Sequence, residues 1–121
     1  VDVANLNAPT QTVISGPVAD IERATPVLTA AGARVVRLNV SGAFHSRQMT
    51  PAKGEFAASL REVRFGPLTL PTMANVTARP YHDDRVAATL ADQMEHPVRW
   101  VETVEYLLRE PDPKFVEVGP G

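Results

Sequence analysis

Three histidines, His45, His82 and His96, are the side chains best suited to moving protons near neutral pH, and their surroundings differ. His45 sits in Ser41–Ser46 (SGAFHS), a stretch with a glycine and no hydrophobic period, which reads as a loop following a strand over Arg34–Val40 (RVVRLNV). Loops at strand ends are where a rigid scaffold presents reactive groups. An imidazole ionising near ~6.5 is a natural general base; the plainer reading is a packed or surface histidine. A partner nucleophile is missing. Ser46 is adjacent in sequence, and neighbouring side chains diverge in an extended chain. None of Ser15, Ser41, Ser46 and Ser59 has glycines on both sides in the Gly-x-Ser-x-Gly elbow pattern. His82-Asp83-Asp84 has the residue types to hold a cation, but it fits a solvated helix N-cap better, and His96-Pro97 reads as a turn leading into a helix. With no cysteine and no His pair at i,i+4, no metal site is expected.

The elements that must position these groups alternate between strand and helix. Gln11–Ser15 (QTVIS) is a β-branched run between Pro9 and Gly16-Pro17 and predicts a strand. Pro17 then opens a helix whose face is Val18, Ile21, Ala24, Leu28 and Ala31, ending at Gly32, with Pro26 expected to kink it or shift its start. Thr50-Pro51 predicts a second helix start, Thr50 capping it, with Phe56, Leu60 and Val63 as its apolar stripe. Leu68–Thr77 (LTLPTMANVT) reads as extended chain broken by Pro71, and a short helix is expected from about Arg85 to Gln93. Pro97 starts another, burying Val98, Val101, Val104, Leu107 and Leu108, and Phe115–Val118 (FVEV) is a last short strand stopped by a Gly119-Pro120-Gly121 turn. The fold class is α/β.

Composition narrows the function classes. The chain has 121 residues with 12 basic and 14 acidic side chains, 44% hydrophobic and 21% charged, which is ordinary for one soluble globular domain. A net charge of −2 offers no basic stripe for nucleic acid, and no apolar run approaches the ~20 residues of a membrane span. Zero cysteine excludes a disulfide framework and permits a reducing compartment, so a cytoplasmic protein is expected. Val1 opens a polar, Asn-rich segment that is not a signal peptide, there is no initiator Met, and both ends read as cut.

Six ordered blocks carry a resemblance. They are Ala4-Asn5-Leu6-Asn7-Ala8-Pro9-Thr10-Gln11 with Val13-Ile14-Ser15-Gly16; Gly42-Ala43-Phe44-His45-Ser46; Met49-Thr50-Pro51-Ala52; Asn75-Val76-Thr77; Gln93-Met94 with Pro97-Val98-Arg99-Trp100; and Glu117-Val118-Gly119-Pro120-Gly121. Together they resemble the malonyl-CoA:acyl-carrier-protein transacylase family, which includes the acyltransferase domains of polyketide and fatty acid synthases. The resemblance implies residues 1–40 as the later part of a ferredoxin-like small subdomain, an α+β insert. Residues 41–121 would return into an α/β-hydrolase-like large subdomain. It further implies a ping-pong transfer: a serine takes the acyl group from a coenzyme A thioester and passes it to the phosphopantetheine thiol of an acyl carrier protein. No permanently bound cofactor is expected.

On that resemblance His45 is the catalytic base and Gln93 the residue whose main-chain carbonyl fixes the imidazole, its side chain being open to substitution. Phe44 is the steric wall that favours malonyl over an α-methyl-branched unit, and Asn75 and Asn5 lie near the substrate cleft, with turn and cap asparagines an equal alternative. The Gly42-Ala43-Phe44-His45 form looks most like stand-alone acyltransferases serving polyketide assembly lines in trans. The serine elbow, the arginine for the malonyl carboxylate and the oxyanion-hole glutamine are expected upstream of Val1, on an N-terminal segment of the same acyltransferase. The alternative is a non-catalytic remnant that docks an acidic carrier protein through Arg23, Arg34, Arg37 and Arg47.

Overall fold

The computed structural model describes residues 1–119; the predicted turn at Gly119-Pro120-Gly121 falls partly outside them. The chain is mixed α/β. Strand β1 (Asp2–Ala8) pairs antiparallel with β2 (Gln11–Ser15) around a two-residue Pro9-Thr10 turn. The β1 strand is absent from the sequence reading because its asparagines break any apolar alternation. Helix α1 (Val18–Ala30) follows, with Pro17 one position ahead of its first turn and Pro26 accommodated inside it. It closes in a Schellman arrangement: Gly32, at φ 90°, donates its N–H to Thr29 and Ala33 donates to Leu28. None of its residues is buried, and Val18, predicted on its inner face, is 58% exposed.

After the His45 loop a 3-10 turn (Arg47–Met49) runs into α2 (Thr50–Leu60), with Pro51 in its first turn where a missing N–H costs nothing. Thr50 does not cap this helix. Its hydroxyl has two acceptors in range, the Arg47 carbonyl and Glu95 Oε2 (2.8 and 2.9 Å), for its one proton. The Leu68–Thr77 region resolves into β3 (Met73–Ala74), which pairs with β4 (Arg79–Pro80) across the Asn75–Ala78 turn. A 3-10 turn (Asp83–Arg85) and α3 (Val86–Asp92) occupy the expected short helix, and α4 (Trp100–Leu107) ends the regular structure. That last helix starts three residues after Pro97 because Val98 is committed elsewhere. It forms a parallel bridge with Asn5, receiving Leu6 N–H at 2.9 Å and donating to Ala4 at 2.8 Å. Thr103 is the buried residue of α4, and Leu108 is exposed rather than interior.

Two predicted strands, Arg34–Val40 and Phe115–Val118, are not strands among the described residues. A strand needs a ladder partner to satisfy its backbone, and no described segment pairs with either one. The buried positions are mostly small (Ala4, Ala74, Ala78, Ala91, Ser46, Thr103) with Leu60 and Val86. No described helix is long and apolar enough to cross a membrane.

Candidate active site

His45 adopts φ 57°, a left-handed conformation that side chains other than glycine seldom hold without support. The support comes from its neighbours. Ser46 is fully buried; its hydroxyl donates to the Ala43 carbonyl at 2.6 Å and accepts Gln48 N–H at 3.2 Å, capping the 3-10 turn. Arg47 then ties the loop to β1, its backbone N–H and Nε each 3.0 Å from Asp2 and its Nη2 2.5 Å away. These hydrogen bonds from Arg47 hold the Asp2 carboxyl below the usual carboxylate range.

The imidazole Nδ1 of His45 lies 2.8 Å from the main-chain oxygen of Gln93, 48 residues on. A carbonyl oxygen only accepts, so Nδ1 carries the proton and Nε2 is left with the free lone pair. Gln93 is delivered by the end of α3, and α3 is pinned to α2 by Lys53, 2.8 Å from Asp92 and 2.5 Å from Glu95. The Lys53 ammonium is raised above its ordinary value by Asp92 first and Glu95 second, and Lys53 in turn depresses Glu95. Asp92, Glu95 and His96 bring ligand-type atoms within 4.8 Å of one another, but the two carboxylates already hold this ammonium.

A cavity of about 240 Å³ opens beside the pair, lined by Phe44, His45, Phe56, Leu90, Gln93 and Met94. Its wall is apolar apart from His45 and Gln93. Phe44 is 47% exposed, and its ring lies over Gly42, where an added Cβ would meet it at 3.4 Å. Phe56 and Leu90 were not singled out from the sequence as part of a site, because residues at helical spacing read as core. Phe56, 36% exposed, and Leu90 line the cavity, and nothing in the sequence set them apart from core positions.

Asn75 donates from Nδ2 to Gln93 Oε1 at 2.9 Å, and Gln93 donates from Nε2 to the Tyr81 hydroxyl at 3.0 Å. Gln93 therefore engages the site through its side chain as well as its main chain, which the sequence reading did not expect, and Tyr81 was missed altogether. Asn5 is in β1, where its neighbours bond Val98; no side-chain hydrogen bond joins it to His45 among the described residues. Of the four arginines considered for docking, Arg23 is paired with Asp20 (2.6 Å) and Arg47 with Asp2, leaving Arg34 and Arg37 on the exposed run.

A loop histidine held by a distant carbonyl thus stands beside an apolar cavity. The acyl transferase domain family matches residues 1–120, and the chain belongs to it. A polyketide biosynthesis malonyl CoA-acyl carrier protein transacylase, BaeC of Bacillus velezensis, is 48% identical over 125 residues, covering 100% of this chain and 43% of that protein. Among solved structures, MCAT from Streptococcus pneumoniae superposes with a TM-score of 0.92 at 36% identity, over 98% of this chain and 39% of that one. A malonyl-transacylase in complex with its type II PKS acyl-carrier protein superposes with a TM-score of 0.85 at 36% identity, over 88% of this chain and 35% of that one. The chain thus spans less than half the length of these relatives.

Proposed function

We propose that this chain is the base-bearing part of a malonyl-CoA:acyl-carrier-protein transacylase, with residues 1–40 in its small subdomain and 41–121 in its large one. The observation that carries the reading is the 2.8 Å contact between His45 Nδ1 and the Gln93 carbonyl beside the Phe44 cavity. His45 Nε2 takes the proton of a serine hydroxyl as its oxygen attacks the malonyl thioester carbonyl. The carbon–sulfur bond breaks, the coenzyme A thiolate collects the proton, and a malonyl-serine ester remains. In the second half His45 takes the proton of the carrier's phosphopantetheine thiol, the new thioester forms, and the serine oxygen is reprotonated. Neutral imidazole is needed at the start of each half, and the Gln93 carbonyl supports the imidazolium that forms between them. No resident cofactor takes part.

Phe44 narrows the cavity against an α-methyl branch, an effect worth about 1–3 kcal/mol. Asn5 lies on the small-subdomain side, where a cleft residue is expected. The serine, the carboxylate-binding arginine and an oxyanion-hole glutamine belong to the rest of the domain, which the relatives' length leaves room for. That remainder also supplies the partners for the exposed apolar runs around Arg34–Val40 and Phe115–Val118. The carrier-protein partner is suggested by the complex among the structural neighbours, and a cytoplasmic location by the absence of cysteine from the sequence.

The test is malonyl transfer from malonyl-CoA to holo carrier protein by the complete protein, varying both substrates. Parallel double-reciprocal lines support the ester intermediate. Carrier binding without any transfer would make the chain part of a docking remnant instead.

A further inference from the structure

The Gln93 carbonyl holds His45 only as firmly as Gln93 itself is held. The residue lies just past the last turn of α3, where helical carbonyls have lost their internal partners and the peptide is free to tilt. Its own N–H is bonded to Thr89 at 3.2 Å, which fixes one end of the residue and leaves the carbonyl side unrestrained by the helix.

The side chain supplies the missing restraint. Its carboxamide has one acceptor end and one donor end, and both are used: Oε1 accepts from Asn75 and Nε2 donates to the Tyr81 hydroxyl. Rotation about any side-chain torsion breaks both bonds together. The two clamping residues are anchored in turn. Asn75 opens the β3–β4 turn, which Ala78 closes by donating to the Ala74 carbonyl at 2.8 Å. Arg99 donates its backbone N–H to the Asn75 carbonyl at 3.2 Å, and its guanidinium reaches the Val76 and Thr77 carbonyls. Glu102, bonded to the same guanidinium at 2.7 Å, keeps that side chain in place. Tyr81 donates its N–H to the Thr72 carbonyl at 2.9 Å. Burial raises the Tyr81 phenol, which stays protonated at neutral pH.

We propose that Asn75 and Tyr81 are positioning residues: by gripping both ends of the Gln93 carboxamide they fix the peptide whose carbonyl orients His45. This rests on His45 being the base. It turns Asn75 from a substrate contact into a support, since one of its two Nδ2 hydrogens is committed to Gln93, and it makes the Gln93 side chain necessary rather than tolerant of change.

The experiment uses the complete acyltransferase with ¹⁵N-histidine labelling, reading malonyl transfer and the imidazole nitrogen signals of His45 in parallel. Asn75→Leu lowers kcat about tenfold with KM for malonyl-CoA within about twofold, the pattern of a misplaced catalytic group. The same variant moves the His45 signals from the pure Nδ1–H form toward a tautomer mixture. Tyr81→Phe, which removes one oxygen and leaves the ring to pack, keeps the test open should Asn75→Leu not fold; it lowers kcat about threefold. Asn75→Asp recovers most of the activity, because the Gln93 amide can turn over, donating from Nε2 to the new carboxylate and accepting from the Tyr81 hydroxyl. Unchanged kcat and unchanged imidazole signals in Asn75→Leu and Tyr81→Phe would overturn the proposal. So would a raised KM at constant kcat in Asn75→Leu, which marks a substrate contact. If the wild-type protein transfers no malonyl group, the functional reading fails, and the imidazole signals still decide the clamp.

Discussion

The His45 loop and the apolar run just before it are adjacent in the chain and held in opposite ways. Residues 43–49 are tied at every step: Ser46 to Ala43, Arg47 to Asp2, His45 to Gln93, and through Gln93 to Asn75 and Tyr81. Residues 34–40 carry Val35, Val36, Leu38 and Val40, all exposed, in a segment without a ladder partner. Phe115, Val116 and Val118 repeat the pattern at the other end of the chain, Val118 being 94% exposed. The difference teaches where each region finds its free energy. Polar contacts whose partners both lie in this chain are completed within it, however far apart in sequence, whereas an apolar strand is stabilised only by what lies on its faces and edges.

The sharpest break in that contrast is the residue the tied region presents. His45→Ala in the complete protein is expected to lower kcat/KM for malonyl transfer by about a thousandfold or more, measured at saturating carrier. Next comes the untied region. Val116 is 81% exposed, and a true surface site would tolerate aspartate within about 0.5 kcal/mol. Covered by the rest of the domain, Val116→Asp instead costs the complete protein about 3 kcal/mol in denaturant unfolding. A negligible cost would show the run to be surface and would break the comparison. A smaller effect belongs to the cavity. Phe44→Ser should relax discrimination against methylmalonyl-CoA by about tenfold, read as a ratio of kcat/KM values.

The smallest concerns the ties themselves. Lys53→Met should cost about 1 kcal/mol, since its partners are partly solvated. Its pH dependence is more telling. Glu95 is depressed by Lys53, so the stability it contributes is present above its unfolded value and is lost as pH falls through the lower folded one. Asp2 behaves the same way through Arg47. Lys53, raised by Asp92 and Glu95, contributes stability that is lost only as pH climbs through its elevated value. Protection against hydrogen exchange over residues 45–49 and 93–96, relative to the intrinsic rate at each pH, should therefore fall in acid below the ordinary carboxylate range, and Lys53→Met should flatten the response at 93–96.

How much of this was legible in the residues follows the same division. Local signals were read correctly: Pro17 before α1, Gly32 after it, Pro51 in α2, and the β-branched QTVIS of β2. The mixed α/β class followed from alternating strand and helix signals, the family from ordered motifs, and the His45 carbonyl contact was expected from the resemblance. What could not be read was anything set by a distant partner. RVVRLNV and FVEV have strand composition, but composition does not supply a ladder. Val98 looked helical after Pro97 until Asn5, 93 positions earlier, took it into a bridge. Tyr81 carries no local signal in the sequence, and its hydroxyl acquires meaning only when the β3–β4 turn brings it to Gln93. A single sequence shows which side chains are able to bond, and tertiary structure decides which of them meet.

The most direct test of the account is a rapid-quench acylation of the complete protein with malonyl-CoA alone, followed by intact mass. The wild type should form a fast covalent malonyl adduct on a serine, and His45→Ala should form one at least about a hundredfold more slowly. An adduct that forms equally fast without the imidazole would contradict it.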